Sequence, residues 1–373
     1  MIISLLVYVI FNKYLPNKEK NISKNTEHKS EVPVKSNKNI MGIVLATGLV
    51  LAVTIIFNFL FNNYKLGLAI GLFVGFVTYI FQISTKEERP RINSLVLVFV
   101  VVIFFWMSFH QNGLALTFFA RDYTVKEVDA FTNIFFNLNS MLSFIATVVG
   151  FFGIIFRKKI IEKIICVGIF GIFGYLTYHL VSGYSVSNSI EPEIFQSFNP
   201  LFIVALTFPV MGIFSWLRNK NSEPSTPKKI GIGMFIAAIG FIIIVIASLN
   251  LISPHELQYI DAAGNVRYTP VPDQSRVMPY WLISNYLILT IAELFLSPMG
   301  ISFVSKVAPS RFQGLMQGGW FLATAVGNKL LFIGSDLWGK LDLWQLWSIF
   351  VICCILSAIF VFSIMKQLEK VTK

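Results

Sequence analysis

Long apolar runs alternate with short polar ones along nearly the whole chain. A helix needs about 20 apolar residues to cross a bilayer core of roughly 30 Å. Runs of that order occupy residues 40–62, 66–84, 93–119, 131–156, 159–182, 194–217, 229–252, 279–304, 312–334 and 342–365. They are continuous rather than alternating, which predicts spanning helices and not barrel strands. The expected fold class is therefore all-α, a polytopic membrane protein with ten full spans. The first apolar run, residues 2–11, is only about half as long as a span requires. No basic residue precedes it, as a signal peptide would need. It is expected to be the tail of a spanning helix whose first half is missing, ending near residue 14, in a truncated chain or one with an internal start. Residues 15–39 are polar and Lys-rich and predict a flexible cytoplasmic linker. Residues 367–373 are a short polar tail.

Composition agrees with this class. Hydrophobic residues make up 55% of the chain and charged residues 13%, against about 25% charged in soluble domains. The net charge of +11 is no nucleic-acid signal, because the basic residues sit in loops between spans. Taking the polar stretch after Phe11 as cytoplasmic and alternating sides puts 23 Lys and Arg inside and 6 outside, with Lys329 within a span. By the positive-inside rule the C-terminus is then cytoplasmic. Cys166, Cys353 and Cys354 lie in apolar spans without metal spacing and read as packing residues. The longest outer loop, 253–278, contains Asp261-Ala-Ala-Gly-Asn265 between short strand-like runs, which predicts a small hairpin.

Few polar groups interrupt the spans. Glu293 stands in the middle of one, where a charge costs about 2.5–3.5 kcal/mol. Either a neighbouring helix pairs it, or it faces a water-filled path. Pro298 and Gly300 follow and predict a bend near the cytoplasmic end. His110-Gln111-Asn112-Gly113 clusters polar and small residues inside 93–119, where a histidine could exchange a proton near neutral pH or simply fix helix packing. Gln196-Ser197-Phe198-Asn199-Pro200 opens 194–217 and reads as a capping cluster or as amides facing a ligand. Asn285 and Tyr286 share a broad face with Glu293. Trp320 reads as a packing residue or a cavity wall. Gly314, Gly318 and Gly319 would permit close helix approach. Lys329 and His179 are expected to reach outward to the surface.

Three stretches carry a family resemblance. Ala292-Glu-Leu-Phe-Leu-Ser-Pro-Met-Gly300, Lys306-Val-Ala-Pro309 and Gly314-Leu-Met-Gln-Gly-Gly-Trp-Phe-Leu322 resemble helices ten and eleven of the proton-dependent oligopeptide transporters of the major facilitator superfamily. Gln196 to Pro200 resembles their helix eight. Residues 93–119 resemble helix seven, with His110 where the family usually has Glu. The resemblance implies the C-terminal six-helix half of a major facilitator fold: helix seven at 93–119 and helices eight to twelve at 194–366. The pair at 40–84 matches an extra pair that bacterial members carry between the halves. The pair at 131–182 lies outside the family pattern and is expected at the periphery. The resemblance implies that Glu293 holds the substrate's amino terminus, that Asn199, Gln196 and Ser197 contact peptide, and that Trp320 lines the cavity; Asn285 and Tyr286, on the face of Glu293, are expected to line it too. His110 and Gln111 take the proton or gate position. The implied function is proton-coupled symport of di- and tripeptides across a bacterial inner membrane, with protons as the coupling ion and no cofactor or metal. The partners are the peptide, the bilayer and a missing N-terminal half, without which this chain is expected not to transport. Alternatives are a same-fold symporter of another small solute and a non-transporting relic. A membrane enzyme would need an acid, His or metal cluster at the surface, and no loop shows one in sequence.

Overall fold

The computed structural model describes residues 36–372, with side chains from Ile40 onward. The half span at 1–14 and most of the linker at 15–39 lie outside the described residues. Helix α1 already begins within the linker, at Ser36–Phe61, and α2 follows at Tyr64–Ile83. Next come α3 (Arg89–Phe109), a 3-10 turn (His110–Gly113) and α4 (Ala115–Tyr123), then α5 (Leu138–Phe156) and α6 (Ile160–Ser182). The remainder is α7 (Phe198–Asn219), α8 (Thr226–Ser248), α9 (Tyr280–Val307), α10 (Gln313–Lys329), α11 (Phe332–Leu337), α12 (Leu343–Ser363) and α13 (Met365–Thr372). Among the described residues, nine helical stretches are long and apolar enough to cross a membrane. The tenth expected span, 312–334, is instead broken between α10 and α11, and the 17-residue α10 falls short. The chain is an all-α polytopic membrane protein.

The central bundle forms where apolar faces meet. Helix α8 packs between α9 and α12, α10 packs on α3, and α7 leans on α9. Its core includes Phe99, Phe241, Leu289, Phe303, Trp347 and Phe350, all almost fully buried. The α1–α2 hairpin joins this bundle through α2, which packs on α10. Within the hairpin, a Cβ at Gly67, Gly71 or Gly75 would approach α1 atoms to 2.7–2.8 Å. One glycine face, repeating every fourth residue, therefore sets the α1–α2 approach. The α5–α6 pair stands at the edge, and α6 has no buried residue. Polar groups join the pair internally: Thr177 Oγ1 donates to Ser143 Oγ at 2.9 Å, and Ser143 Oγ donates to the Phe173 carbonyl at 2.9 Å.

The short connections pair up at the two faces of the bundle. At one face, β1 (Glu127–Val128) pairs antiparallel with β2 (Asn188–Ser189). There too, the hairpin of β3 (Gln258–Ile260) and β4 (Val266–Tyr268) forms, turning at Gly264 with φ +80°. Asp261 accepts from the Ala263 and Asn265 amides and closes the turn.

The opposite face is tied by ion pairs. Arg311 grips Glu88, the nearest approach being 2.5 Å, and its guanidinium holds the Glu88 carboxyl below the usual carboxylate range. Glu223 accepts from Arg218 at 2.6 Å and from Lys229 at 2.5 Å, and these bonds pull its pKa down to about 2. A depressed carboxylate contributes stability above its unfolded value and loses it as pH falls through its folded value. We expect this contribution to hold above pH 4.5 and to vanish by about pH 2. Thermal midpoints of the wild type and Glu223→Gln should differ at pH 6 and converge toward pH 2; a constant gap would refute the pairing.

Candidate functional site

The apolar run at 93–119 breaks where its polar cluster lies. His110, Gln111, Asn112 and Gly113 form a 3-10 turn between α3 and α4. Such a turn breaks the regular helical ladder and leaves carbonyls available for side chains. The Asn112 carbonyl accepts from Tyr286 Oη at 2.7 Å and from Thr117 Oγ1 at 3.1 Å. Thr117 Oγ1 in turn accepts from Gln196 Nε2 at 3.2 Å. This joins α4, the turn before α7, and α9.

Glu293 lies near the same seam, two turns along α9 from Tyr286. Asn199, in the first turn of α7, donates through Nδ2 to Glu293 Oε2 at 3.0 Å and to Thr290 Oγ1 at 3.1 Å. Thr290 Oγ1 donates back to the Tyr286 carbonyl at 2.7 Å. The spacing 286, 290, 293 places these residues on one helical face. Glu293 is half-buried. Among the described residues no cation lies within 4.0 Å of it. Among the described residues its second oxygen makes no hydrogen bond, and the side chain is only partly covered. A carboxylate held by one neutral amide in a low-dielectric wall is poised to accept a cation.

The other expected residues divide. Ser197 is the residue before α7, partly exposed, and makes no side-chain cap bond, so the capping reading does not describe it. Asn285 does not join this wall: it is fully buried and its amide donates to the Gly240 carbonyl of α8 at 2.8 Å. Gln111 is buried, donating to the Met107 and Leu331 carbonyls at 3.2 Å each, and so stitches α3 to the α10–α11 junction. His110 stacks on Trp106 with ring centroids 4.6 Å apart and hydrogen-bonds through Nδ1 to Asn328 Oδ1. Trp320 is 2% exposed, packed against Gly300 inside the bundle. Gly300 is thus a seat for an indole, and the stretch expected to bend stays helical, α9 continuing through Pro298 to Val307. Of Gly314, Gly318 and Gly319, only Gly319 makes a close approach, to Phe76 and Phe99, while Gly327 later on α10 approaches the Ile103 carbonyl of α3. Lys329 is exposed in the last turn of α10.

Thr290 and Thr117 were missed in the sequence. Threonine is common in membrane helices, and only its position between Tyr286 and Glu293 could have marked Thr290. The loops also hold a cluster that the sequence hides. Ligand-type atoms of His255, Glu256 and Asp342 lie within 4.8 Å of one another. Both carboxylates already serve as helix caps, Glu256 for the turn at Ser253 and Asp342 for α12. Two cavities lie elsewhere. One of about 390 Å³ sits between the end of α4, the β3–β4 hairpin and α11, and one of about 730 Å³ at the opposite face between α7, α8 and α9. Glu293 lines neither.

Comparison with known proteins identifies the class. Residues 182–341 match the PTR2 model, described as the POT family. A peptide transporter, YePEPT, from Yersinia enterocolitica is 26% identical over 254 residues, covering 67% of this chain and 34% of that protein. Dipeptide and tripeptide permease B of Photorhabdus asymbiotica is 22% identical over 337 residues, covering 88% of this chain and 51% of its own length. The crystal structure of a POT family transporter in complex with a thioalcohol conjugated peptide aligns over 99% of this chain and 61% of its own, with TM-score 0.57 and 20% identity. The fold is that of these membrane transporters, and residues 182–341, less than half of the chain, are similar to the POT family. It spans about a third to a half of the length of the two curated relatives described.

Proposed function

We propose that this chain supplies the C-terminal half of the substrate cavity of a proton-coupled peptide symporter in a bacterial inner membrane, its C-terminus in the cytoplasm. The observation that carries this reading is the Glu293–Asn199 pair, an acid without a described cation partner, hydrogen-bonded across α7 and α9. A peptide's ammonium supplies the missing positive charge, and Asn199 can turn its amide to the peptide backbone. The curated relatives named above, a peptide transporter and a di- and tripeptide permease, support the substrate class. Superfamily transporters rock two halves about a midplane site. The second half of the cavity therefore comes from residues other than these, and this chain alone does not transport. Substrate carriage and not catalysis is its task. Proton coupling rests on Glu293 and on His110, whose hydrogen bond to Asn328 ties the 3-10 turn after α3 to the end of α10.

The test is uptake of a labelled dipeptide by the protein joined to a family N-terminal half, with and without an inward proton gradient. Gradient-stimulated uptake is expected. Uptake of a different small solute in preference to dipeptide would favour the same fold with another substrate, and uptake of neither would make the chain a non-transporting relic.

A further inference from the structure

The cavity of about 730 Å³ between α7, α8 and α9 lies at the face of the bundle that carries Arg311, away from the Glu293 wall. Its polar lining includes Arg218, Glu223, Ser225, Lys229, Ser302 and Lys306. Lys229 is 4% exposed, with Nζ bonded to Glu223 and 4.1 Å from the centroid of the Phe214 ring. Arg218 binds the same carboxylate but keeps its side chain 70% exposed. Lys306 is exposed, and among the described residues no carboxylate lies within 4.0 Å of it. Three cations thus line the cavity with one carboxylate, and even with Glu369, which accepts from the lining Ser225 at 2.6 Å, positive charge is in excess. Thr226, the first residue of α8, also borders it, and that helix start has no side-chain cap. Unsatisfied amides at a helix start favour an anion.

The depth of the cavity says which anion. On α7 beside it, Trp216 is 55% exposed, and Lys220 Nζ lies 4.0 Å from the centroid of its ring. An exposed Trp beside a cation marks the level of lipid headgroups. Further along α7 the surface turns apolar: Ile213 is 54%, Met211 62% and Phe208 79% exposed. Charge above and bare apolar surface below fit a molecule with a phosphate at one end and hydrocarbon at the other. We propose that this cavity holds the headgroup phosphate of an anionic phospholipid. Arg218 and Lys306 bind the phosphate, Lys229 supplies a buried positive charge behind it, and the acyl chains lie along Phe208, Met211 and Ile213. Glu223 stays with Lys229 and fixes its position. The site is independent of substrate transport, so its test does not depend on the outcome for Glu293.

The purified chain in detergent is titrated with phosphatidylglycerol, phosphatidylcholine or inorganic phosphate, with bound lipid read by native mass spectrometry and stability by the thermal midpoint. Phosphatidylglycerol should bind and raise the midpoint more than phosphatidylcholine does. The double variant Arg218→Gln/Lys306→Gln should bind phosphatidylglycerol about 30-fold more weakly, the loss expected for two interfacial cations. Arg218→Lys/Lys306→Arg, which keeps both charges, should retain binding even if the double Gln variant folds poorly. Lys340→Gln, at the other face, should change nothing. Equal binding of the two lipids, or undiminished binding by a folded double Gln variant, would overturn the proposal. Inorganic phosphate stabilising the chain as fully as phosphatidylglycerol would also overturn it, because the site would then belong to a soluble anion.

Discussion

Glu293→Gln should abolish proton-driven dipeptide uptake, by at least about 100-fold, in the protein joined to a family N-terminal half. The reason lies in what each side chain can hold. The carboxylate accepts one bond from Asn199 and, among the described residues, its second oxygen makes none. A carboxylate–ammonium bond in a low-dielectric site is worth several kcal/mol more than an amide–ammonium bond, and losing a buried charge partner costs about 3–5 kcal/mol. At about 1.4 kcal/mol per factor of ten, that range corresponds to 100-fold or more. Asn199 can reorient its amide, so the fold should survive, and expression and thermal midpoint should stay near wild type. Uptake by Glu293→Gln within about twofold of wild type would remove Glu293 from the site.

The second large effect concerns packing. Gly300→Ala should destabilise the chain strongly. A Cβ at this position would fall 1.9 Å from Cη2 and 2.3 Å from Cζ3 of Trp320. The indole is 2% exposed and rigid, so it cannot swing away into solvent. Inserting one methyl group into a filled core costs about 1–3 kcal/mol. A smaller ring partner should relieve the clash, so Gly300→Ala should cost less in a Trp320→Leu background than in the wild type. Thermal or denaturant unfolding of the four proteins gives the coupling directly. Additive effects would mean that the two residues do not touch.

These two residues show what could be read from the sequence and what could not. Spanning helices are legible because lipid forces every backbone group into an internal bond, and that leaves long apolar runs. The same rule exposes Glu293, since a lone carboxylate in such a run is costly. The reach of Asn199 to Glu293 was not legible, because it joins residues 94 positions apart. Gly300 beside Pro298 looked like punctuation, yet its cause is the ring of Trp320 on another helix. Asn285 shared a face with Glu293 in a helical count, but the broad face divides: Tyr286 looks toward the 3-10 turn before α4, Glu293 toward α7, and Asn285 toward α8. The tenth span looked continuous, although α10 stops at Lys329 and the chain turns before α11. The buried amide of Gln111 meets the Leu331 carbonyl at that turn, a pairing no local pattern announces. His255, Glu256 and Asp342 met for the same reason, through folding of distant loops.

The central claim is that the wall around Glu293 is wet and open to a peptide. Ser197→Cys tests it most directly, because Ser197 is partly exposed beside Asn199 and has no hydrogen bond of its own to lose. A water-soluble, membrane-impermeant thiol reagent should label this cysteine quickly in the transporting protein, against the slower background of Cys166, Cys353 and Cys354, and a saturating dipeptide should slow the labelling. A rate equal to that background, or one that dipeptide leaves unchanged, would contradict the account.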